Sequence, residues 1–255
     1  MTFTLQNFEI YLLILVRISG FILTAPLFSL RNIPVRVKTG FSIFIAIILY
    51  YSVPYTMPEY AGVIGFAILV VKEAIAGALM GLFANIAYHI LALAGQIIDM
   101  EIGFSMVNTM DPTTNISTTI SANFYGYLIM LMMIITDLHH FILRALVDSF
   151  QIIGIGKAVF RPNMYELMLT FMIDYFILAF RIVLPVFAAI LLVNTILAIL
   201  AKVAPEMNMF VIGMQLKVFI GLAILLIIVG LIPSVADAIF NEMMEMLKGA
   251  VEWMT

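Results

Sequence analysis

Long apolar stretches separated by short polar intervals dominate the pattern of this chain. A helix needs about 20 predominantly apolar residues to cross the hydrocarbon core of a bilayer. The pattern predicts membrane-spanning helices over 8–28, 61–98 and 124–150, and a shorter apolar helix over 39–53. The second of these stretches is unbroken for nearly twice the length of one span, so a single long helix is expected there.

The second half of the chain is predicted to form a helical hairpin. Its first arm covers 165–200 and contains Pro185, which should kink the helix because proline removes a backbone hydrogen bond. Its second arm covers 209–232. The candidate site residues of this hairpin are those of its polar tip and a lysine in the second arm: Lys202, Pro205, Glu206 and Lys217.

The last segment of the chain has the pattern of an amphipathic helix. Ser234 and Asp237 are spaced as in a capping box, which predicts a helix start at this point. Apolar residues then recur at helical spacing, with glutamates opposite them: Val235, Ile239, Met243, Leu247 and Val251 against Glu242, Glu245 and Glu252. We expect the apolar face to lie against a partner or at the membrane interface.

One long polar interval, 99–120, interrupts the apolar pattern. It carries the carboxylates of Asp99, Glu101 and Asp111. The Asp111–Pro112 step disfavours helix at the residue before the proline, so an ordered loop between two helical blocks is predicted. Bulky apolar residues lie within it: Phe104, Met106, Val107 and Met110. Two interpretations follow, a surface loop that touches lipid headgroups or a loop that fills a hole.

Charged residues lie inside several of the apolar stretches. An ionisable residue within a spanning segment marks a functional site by default, because an unpaired charge in hydrocarbon is costly. For Arg17 the alternative is a pair with a carboxylate on a neighbouring helix. Asp137 and His140 share a helical face, but a third and a fourth metal ligand are not evident, so no metal site is predicted. The charges expected to be buried or to make assembly contacts are Arg17, Glu73, Asp137, Arg144, Asp174 and Arg181.

Composition assigns the chain to a broad class. Hydrophobic residues make up 64% and charged residues 11%, and the mean hydropathy is +1.17, which indicates an integral membrane protein. The net charge of -3 and the lack of a basic run argue against a nucleic-acid partner. There is no cysteine, which excludes disulfides and thiolate chemistry. Arg31, Arg36 and Lys38 favour a cytoplasmic position for their connection, while the overall orientation stays open.

The order and spacing of these features resemble the FliR/SctT family of type III export gates. The resemblance runs nearly end to end and is carried by Arg17-Ile18-Ser19-Gly20, Ala25-Pro26-Leu27-Phe28, Ile33-Pro34, Glu73, Gly77, Gly81, Gly95-Gln96, Asp99, Gly103, Asp111-Pro112, His139, Ser149-Phe150, Pro185, Asn194, Pro205, Asn208, Phe210, Gly213, Lys217 and Gly221. The sequence departs from the family pattern at Lys202, Glu206 and Gln215, and by lacking a proline after Ser149-Phe150.

The resemblance implies an all-α polytopic membrane protein of long helical hairpins. It implies a P-type-like part over 1–162, which includes the loop 99–120, joined to a Q-type-like hairpin and amphipathic helix over 163–255. Such a subunit joins P-type and Q-type subunits in a helical assembly at the bacterial inner membrane. The assembly is the entrance pore for unfolded proteins, part of it can sit above the bilayer plane, and other export-apparatus membrane proteins and lipid surround it.

The resemblance also implies a plug. A loop of this subunit closes the pore in the resting complex, and it corresponds to 103–117 here, with its tip at Val107, Asn108, Thr109, Met110 and Asp111. A flagellar system is favoured over an injectisome. No enzymatic activity and no cofactor are expected.

Two other classes of function compete with this reading. A small-molecule secondary transporter could use the charges within the apolar stretches as a substrate path and Pro185 as a helix break. Against it, the sequence shows no inverted repeat. An intramembrane hydrolase is the weaker alternative, because His139 and His140 lack a partner set such as a His-Glu-x-x-His helix.

Overall fold

The computed structural model of the 255-residue chain describes residues 5–56, 58–104, 109–110, 117–162, 164–206 and 208–255. Within these ranges the chain folds into α-helices and one pair of two-residue strands. The helices are α1 (Leu5–Thr24), α2 (Val35–Ser52), α3 (Gly62–Tyr88), α4 (Ile90–Ile102), α5 (Ile120–Ile135), α6 (Leu138–Ile152), α7 (Met164–Val203), α8 (Met209–Val229) and α9 (Ile232–Trp253); the strands are β1 (Thr109–Met110) and β2 (Ser117–Thr118).

The prediction of an all-α polytopic membrane protein is confirmed. Five helical stretches of the described chain are long and apolar enough to cross a membrane, and a sixth is added if α5 and α6 count as one broken span. The five are α1, α2, the joined α3 and α4, α7 and α8.

Two of the predicted continuous helices are interrupted. The stretch 61–98 is divided at His89, which separates α3 from α4. The stretch 124–150 is divided at Thr136 and Asp137, and Asp137 adopts a left-handed backbone conformation with φ 55°. Asp is one of the few non-glycine residues that visit this conformation readily, so the break is compatible with its sequence.

The chain divides into two compact units, each built from separated segments. One comprises 1–88, 136–172 and 240–255, and the other comprises 89–135 and 173–239. These units follow contacts within the chain and differ from the predicted division into 1–162 and 163–255. The predicted division concerns likeness to P-type and Q-type subunits, and it stays a prediction.

In the first unit, α1 and α3 pack closely through glycines. A Cβ atom on Gly77 would lie 1.9 Å from the carbonyl oxygen of Arg17, and one on Gly81 would lie 2.0 Å from Oγ1 of Thr24. That hydroxyl donates a hydrogen bond to the carbonyl oxygen of Ala78 at 3.1 Å. The small residues therefore let the two backbones meet, as in many membrane helix pairs.

The C-terminal helix α9 differs from the prediction in what covers its apolar face and in where it begins. Its apolar face is buried within the chain itself at Ile239, Met243, Leu247 and Val251, so this face is not left open for a partner or a membrane interface. The helix already begins at Ile232, and the hydroxyl of Ser234 donates to the carbonyl oxygen of Leu231 at 2.8 Å. Ser234 is thus inside the first turn and does not act as the predicted cap.

The predicted hairpin arms correspond to α7 and α8. The helix α7 runs for 40 residues and continues through Pro185 without a break. After it ends, the side chain of Asn208 accepts a hydrogen bond from the backbone N–H of Val211 at 3.4 Å and caps α8. Pro185 is therefore accommodated inside one long helix.

Candidate functional site

The polar interval between the two helical blocks forms a loop with an antiparallel stem. The helix α4 ends at Ile102. Gly103 follows it in a left-handed conformation with φ 100°, which glycine adopts without strain. The strands β1 and β2 then pair, with Thr109 opposite Thr118 and Met110 opposite Ser117. The loop between the helices therefore covers 103–119, shorter than the predicted 99–120.

Most residues of the predicted plug tip fall in the undescribed part of this loop. Met106, Val107, Asn108 and Asp111 lie outside the described residues. The backbone of Thr109 and Met110 forms β1. Phe104 follows the end of α4 and is half-buried. The structure thus defines the base and the stem of the loop.

Asp99 is the most unusual residue at the loop base. It is fully buried within α4, so the sequence-based placement of this carboxylate in the loop is wrong. Its Oδ2 accepts a hydrogen bond from the backbone N–H of Ser121 at 2.8 Å, and its Oδ1 accepts another from the Ser121 hydroxyl. Ser121 lies in the first turn of α5, whose backbone N–H groups have no partner within the helix. Asp99 therefore caps α5 from the opposite end of the loop.

The carboxylate of Asp99 is surrounded by hydrogen-bond donors at the start of α5. Among the described residues, no ion pair includes Asp99, so the compensation comes from hydrogen bonds and from the positive end of the α5 dipole. Hydrogen bonds that a carboxylate accepts are stronger than neutral ones. The pair Asp99–Ser121 is therefore a clasp that holds the two ends of the loop together.

A second contact fixes the same two helices. A Cβ atom on Gly95 would lie 2.5 Å from the Cα atom and 2.7 Å from the backbone nitrogen of Ala122. Only glycine allows the backbones of α4 and α5 to approach this closely. One helical turn separates Gly95 from Asp99. The two residues therefore hold α4 against α5 at two successive turns of the helix.

A cavity of about 330 Å³ lies beside the end of α4 in the second unit. The end of α4 contributes Glu101 and Gly103 to its wall, and α8 contributes Lys217. The remaining lining residues are Met100, Ile102, Asn194, Leu197, Phe210, Gly213 and Met214. Of the predicted hairpin residues, Lys217 thus lies near the loop base, whereas Lys202, Pro205 and Glu206 are exposed at the hairpin tip.

The first unit contains a buried ion pair. Arg17 and Glu73 are both 0% exposed, and Nη2 of Arg17 donates to Oε1 of Glu73 at 2.9 Å while Nε donates to Oε2. The guanidinium also donates to the carbonyl oxygens of Ser149 at 3.3 Å and Ile153 at 3.1 Å. It lies 4.3 Å from the centroid of the Phe150 ring. The charge of Arg17 is therefore compensated by one carboxylate, backbone carbonyl oxygens and one aromatic ring.

Glu73 completes this cluster. Its Oε1 also accepts a hydrogen bond from the backbone N–H of Gly156 at 2.7 Å. Gly156 has a φ of 75°, a conformation that few other residues adopt without strain. The pair thus joins α1, α3 and the segment after α6. Of the two alternatives for Arg17, the geometry supports pairing with a carboxylate on a neighbouring helix.

The chain is similar to known proteins over almost its whole length. The family described as "Bacterial export proteins, family 1" matches residues 8–243. The chain is 31% identical to flagellar biosynthetic protein FliR of Bacillus subtilis (strain 168) over 246 residues, which cover 94% of each chain. It is 27% identical to the protein of that name from Escherichia coli (strain K12), covering 95% of this chain and 93% of the relative. The Aquifex aeolicus (strain VF5) protein is 28% identical, covering 96% and 95%.

The chain belongs to the bacterial export proteins, family 1. The resemblance to the FliR/SctT family that the sequence motifs indicated is thereby confirmed. Because the match covers almost the whole of the curated relatives, membership extends over both compact units, including the loop base and the buried ion pair.

The other charges expected to be buried in this family 1 export protein are not buried within the single chain. Asp137, Arg144 and Arg181 are exposed, and Asp174 is half-exposed. The guanidinium of Arg144 lies 5.8 Å from the centroid of the Phe141 ring. Burial inside the chain is therefore corrected for these four residues, while their role in assembly contacts stays a prediction.

Sequence analysis of the export protein missed the partner of Asp99. Ser121 stands 22 residues away, beyond any local capping rule. The sequence did contain two signals. Ser121 stands at the start of an apolar helix, and Asp99 stands four residues before Gly103. The hydrogen bond from Gly156 to Glu73 was missed for the same reason, since the two residues are 83 positions apart.

Proposed function

We propose that this family 1 export protein forms part of the entrance pore of the flagellar export gate and that its loop 103–119 closes the pore at rest. The relatives are flagellar biosynthetic proteins, and five helices can cross a membrane, which supports a component of the flagellar export apparatus in the inner membrane. The protein is a channel subunit and not an enzyme. The observation that carries the proposal is the clasped base of the loop.

The base and the stem suit a plug that moves as one piece. The Asp99–Ser121 clasp and the Gly95–Ala122 contact hold the helix ends from which the loop rises. The antiparallel pairing of β1 and β2 keeps its two legs together. Met106 and Met110 in its sequence suit a seal, because methionine adapts to irregular gaps.

The exposed surface supports a hetero-oligomeric assembly. Large apolar side chains are exposed along both arms of the hairpin, for example Phe180, Leu184, Phe187, Phe219 and Leu226. Contiguous apolar surface of this kind marks a protein or membrane contact. We propose that P-type and Q-type subunits cover part of it, that lipid covers the rest, and that part of the complex sits above the bilayer plane. Unfolded proteins are the transported substrates.

Ion leakage through the closed complex tests the plug. The whole gate is expressed with this chain lacking 107–111, and conductance is measured in reconstituted bilayers. We expect higher leakage than in the unaltered gate. A matched control replaces 107–111 by five Gly and Ser residues, which keeps the length of the loop but removes its side chains. Unchanged conductance in both variants, with normal assembly, would refute the plug.

Co-purification in mild detergent tests the assembly itself. Expression with the P-type and Q-type subunits should give one large stoichiometric complex that holds a single copy of this chain. A stable monomer or homodimer that ignores them would favour the small-molecule transporter. The structure offers that alternative little support, because the guanidinium of Arg17 is already paired with Glu73 and capped by backbone carbonyls.

A further inference from the structure

The break between α5 and α6 brings together three side chains of the types that can ligate metals, those of Asp137, His139 and His140. The first of them, Asp137, precedes α6 and has a left-handed backbone conformation. Its carbonyl oxygen accepts a hydrogen bond from the backbone N–H of His140 at 2.9 Å, so the residue is held beside the first helical turn. Its carboxylate makes no capping hydrogen bond to the helix. The carboxylate is therefore available to a ligand other than the helix end.

The spacing of the side chains is that of metal ligands. One ligand atom from each of Asp137, His139 and His140 lies within 4.8 Å of the other two. Oδ1 of Asp137 is 3.3 Å from Nδ1 of His140, and the two imidazole rings have centroids 4.0 Å apart. In a tetrahedral zinc site with bonds of about 2.0–2.1 Å, neighbouring ligand atoms lie about 3.3 Å apart. The pair Asp137–His140 already has this separation.

We propose that Asp137, His139 and His140 bind a divalent transition-metal ion such as Zn²⁺. Two imidazoles and one carboxylate form a ligand set that zinc accepts, with a fourth position left for water. That position is open, since the side chains of Asp137 and His140 are each 68% exposed. The sequence pattern placed only Asp137 and His140 on one face; the structure adds His139 as the third ligand. The proposal does not depend on the plug.

The bound ion would stabilise the start of α6. The helix lacks a side-chain cap at this end, and a metal that joins residues 137, 139 and 140 would fix its first turn instead. Binding to the folded chain alone raises the unfolding temperature in proportion to the logarithm of the metal concentration.

Cobalt titration tests the site. The full chain, purified within the gate complex with a histidine-free affinity tag, is titrated with Co²⁺ and followed by visible absorption. We expect one Co²⁺ per chain, displaced by Zn²⁺. His140→Ala, His139→Ala and Asp137→Asn should each weaken binding at least about 10-fold. His89→Ala is the matched control, because it removes the remaining histidine of the chain and should leave Co²⁺ binding unchanged.

Two further measurements separate loss of a ligand from loss of the fold. Metal-free variants should unfold at the same temperature as the unaltered protein, and only the unaltered protein and His89→Ala should gain stability with Zn²⁺. X-ray absorption of the zinc-loaded complex should show imidazole scattering that His140→Ala reduces. Binding that is equal in His140→Ala and the unaltered complex, or no stoichiometric binding at all, would overturn the proposal.

Discussion

Replacing Asp99 by Ala tests the clasp at the loop base most directly. The substitution removes a buried carboxylate and leaves the backbone N–H and the hydroxyl of Ser121 without their acceptor. The hydroxyl can rotate toward another acceptor, but the N–H cannot. Leaving one buried donor unsatisfied costs about 1–3 kcal/mol. Loss of a helix cap alone costs about 0.5–2 kcal/mol, in the same range. We therefore expect destabilisation of about 1–3 kcal/mol.

Asp99→Asn separates the hydrogen bonds from the charge. The amide keeps the volume and one carbonyl oxygen that can accept from the Ser121 N–H, so its destabilisation should be smaller, about 1 kcal/mol. Glu101→Ala is the matched control: Glu101 is a neighbouring, half-exposed carboxylate of the same helix, and its loss should stay within about 0.5 kcal/mol. The order Asp99→Ala, Asp99→Asn, Glu101→Ala is the specific expectation.

Two readouts follow these variants in the assembled gate. Thermal unfolding measures the loss of stability, and bilayer conductance measures leakage of the closed pore. If the clasp holds the plug in place, Asp99→Ala should leak more than Asp99→Asn, and Glu101→Ala should not leak. A destabilised Asp99→Ala complex with normal conductance would separate the clasp from gating. Unchanged stability in Asp99→Ala would refute the capping role itself.

Two other contacts give predictions of their own. Glu73→Ala leaves the Arg17 guanidinium buried without its anion, which should cost about 3–5 kcal/mol and greatly reduce the yield of folded protein; Arg17→Met in the same chain should restore part of that yield, and no rescue would contradict the pairing. Gly95→Ala should push α4 and α5 apart and abolish motility, whereas Gly126→Ala, where a Cβ meets no atom within 4 Å, should leave swimming in soft agar unchanged. Equal motility of the two glycine variants would refute the close contact.

The helices of this protein were predictable because apolar length is a local property. The span α1 and the hairpin arms α7 and α8 follow directly from uninterrupted apolar stretches. The break at Asp137 was not predictable, since no glycine or proline marks it and the left-handed conformation depends on the surrounding fold. An amphipathic pattern also does not specify what covers its apolar face, and the buried face of α9 was therefore assigned to a partner or the membrane interface.

The candidate site was predictable in its position but not in its contacts. The polar interval with its Asp-Pro step located the loop, because turn chemistry is encoded within a few residues. Which carboxylate holds the loop base depends on a pairing across 22 residues. Arg17 was recognisable as a charge that needs a partner, yet Glu73 stands 56 residues away, and only the fold selects it.

Charges on the exposed face of α7 distinguish a protein-covered surface from a lipid-covered one. Asp174 and Arg181 are seven residues apart and so lie on one side of this apolar helix. A charge facing lipid at the centre of a span costs about 2.5–3.5 kcal/mol. If lipid covers this side, Asp174→Leu and Arg181→Leu should preserve or improve assembly.

If P-type or Q-type subunits cover it instead, either substitution leaves the partner's polar groups unpaired. We expect that result, with less of the complex recovered by co-purification in mild detergent. Leu191→Ile, a swap of similar volume on an exposed apolar position of the same helix, is the control and should be neutral. Full recovery of the complex with both Leu variants would instead indicate that lipid covers this face, because a helix in contact with lipid is stabilised when the charge is removed.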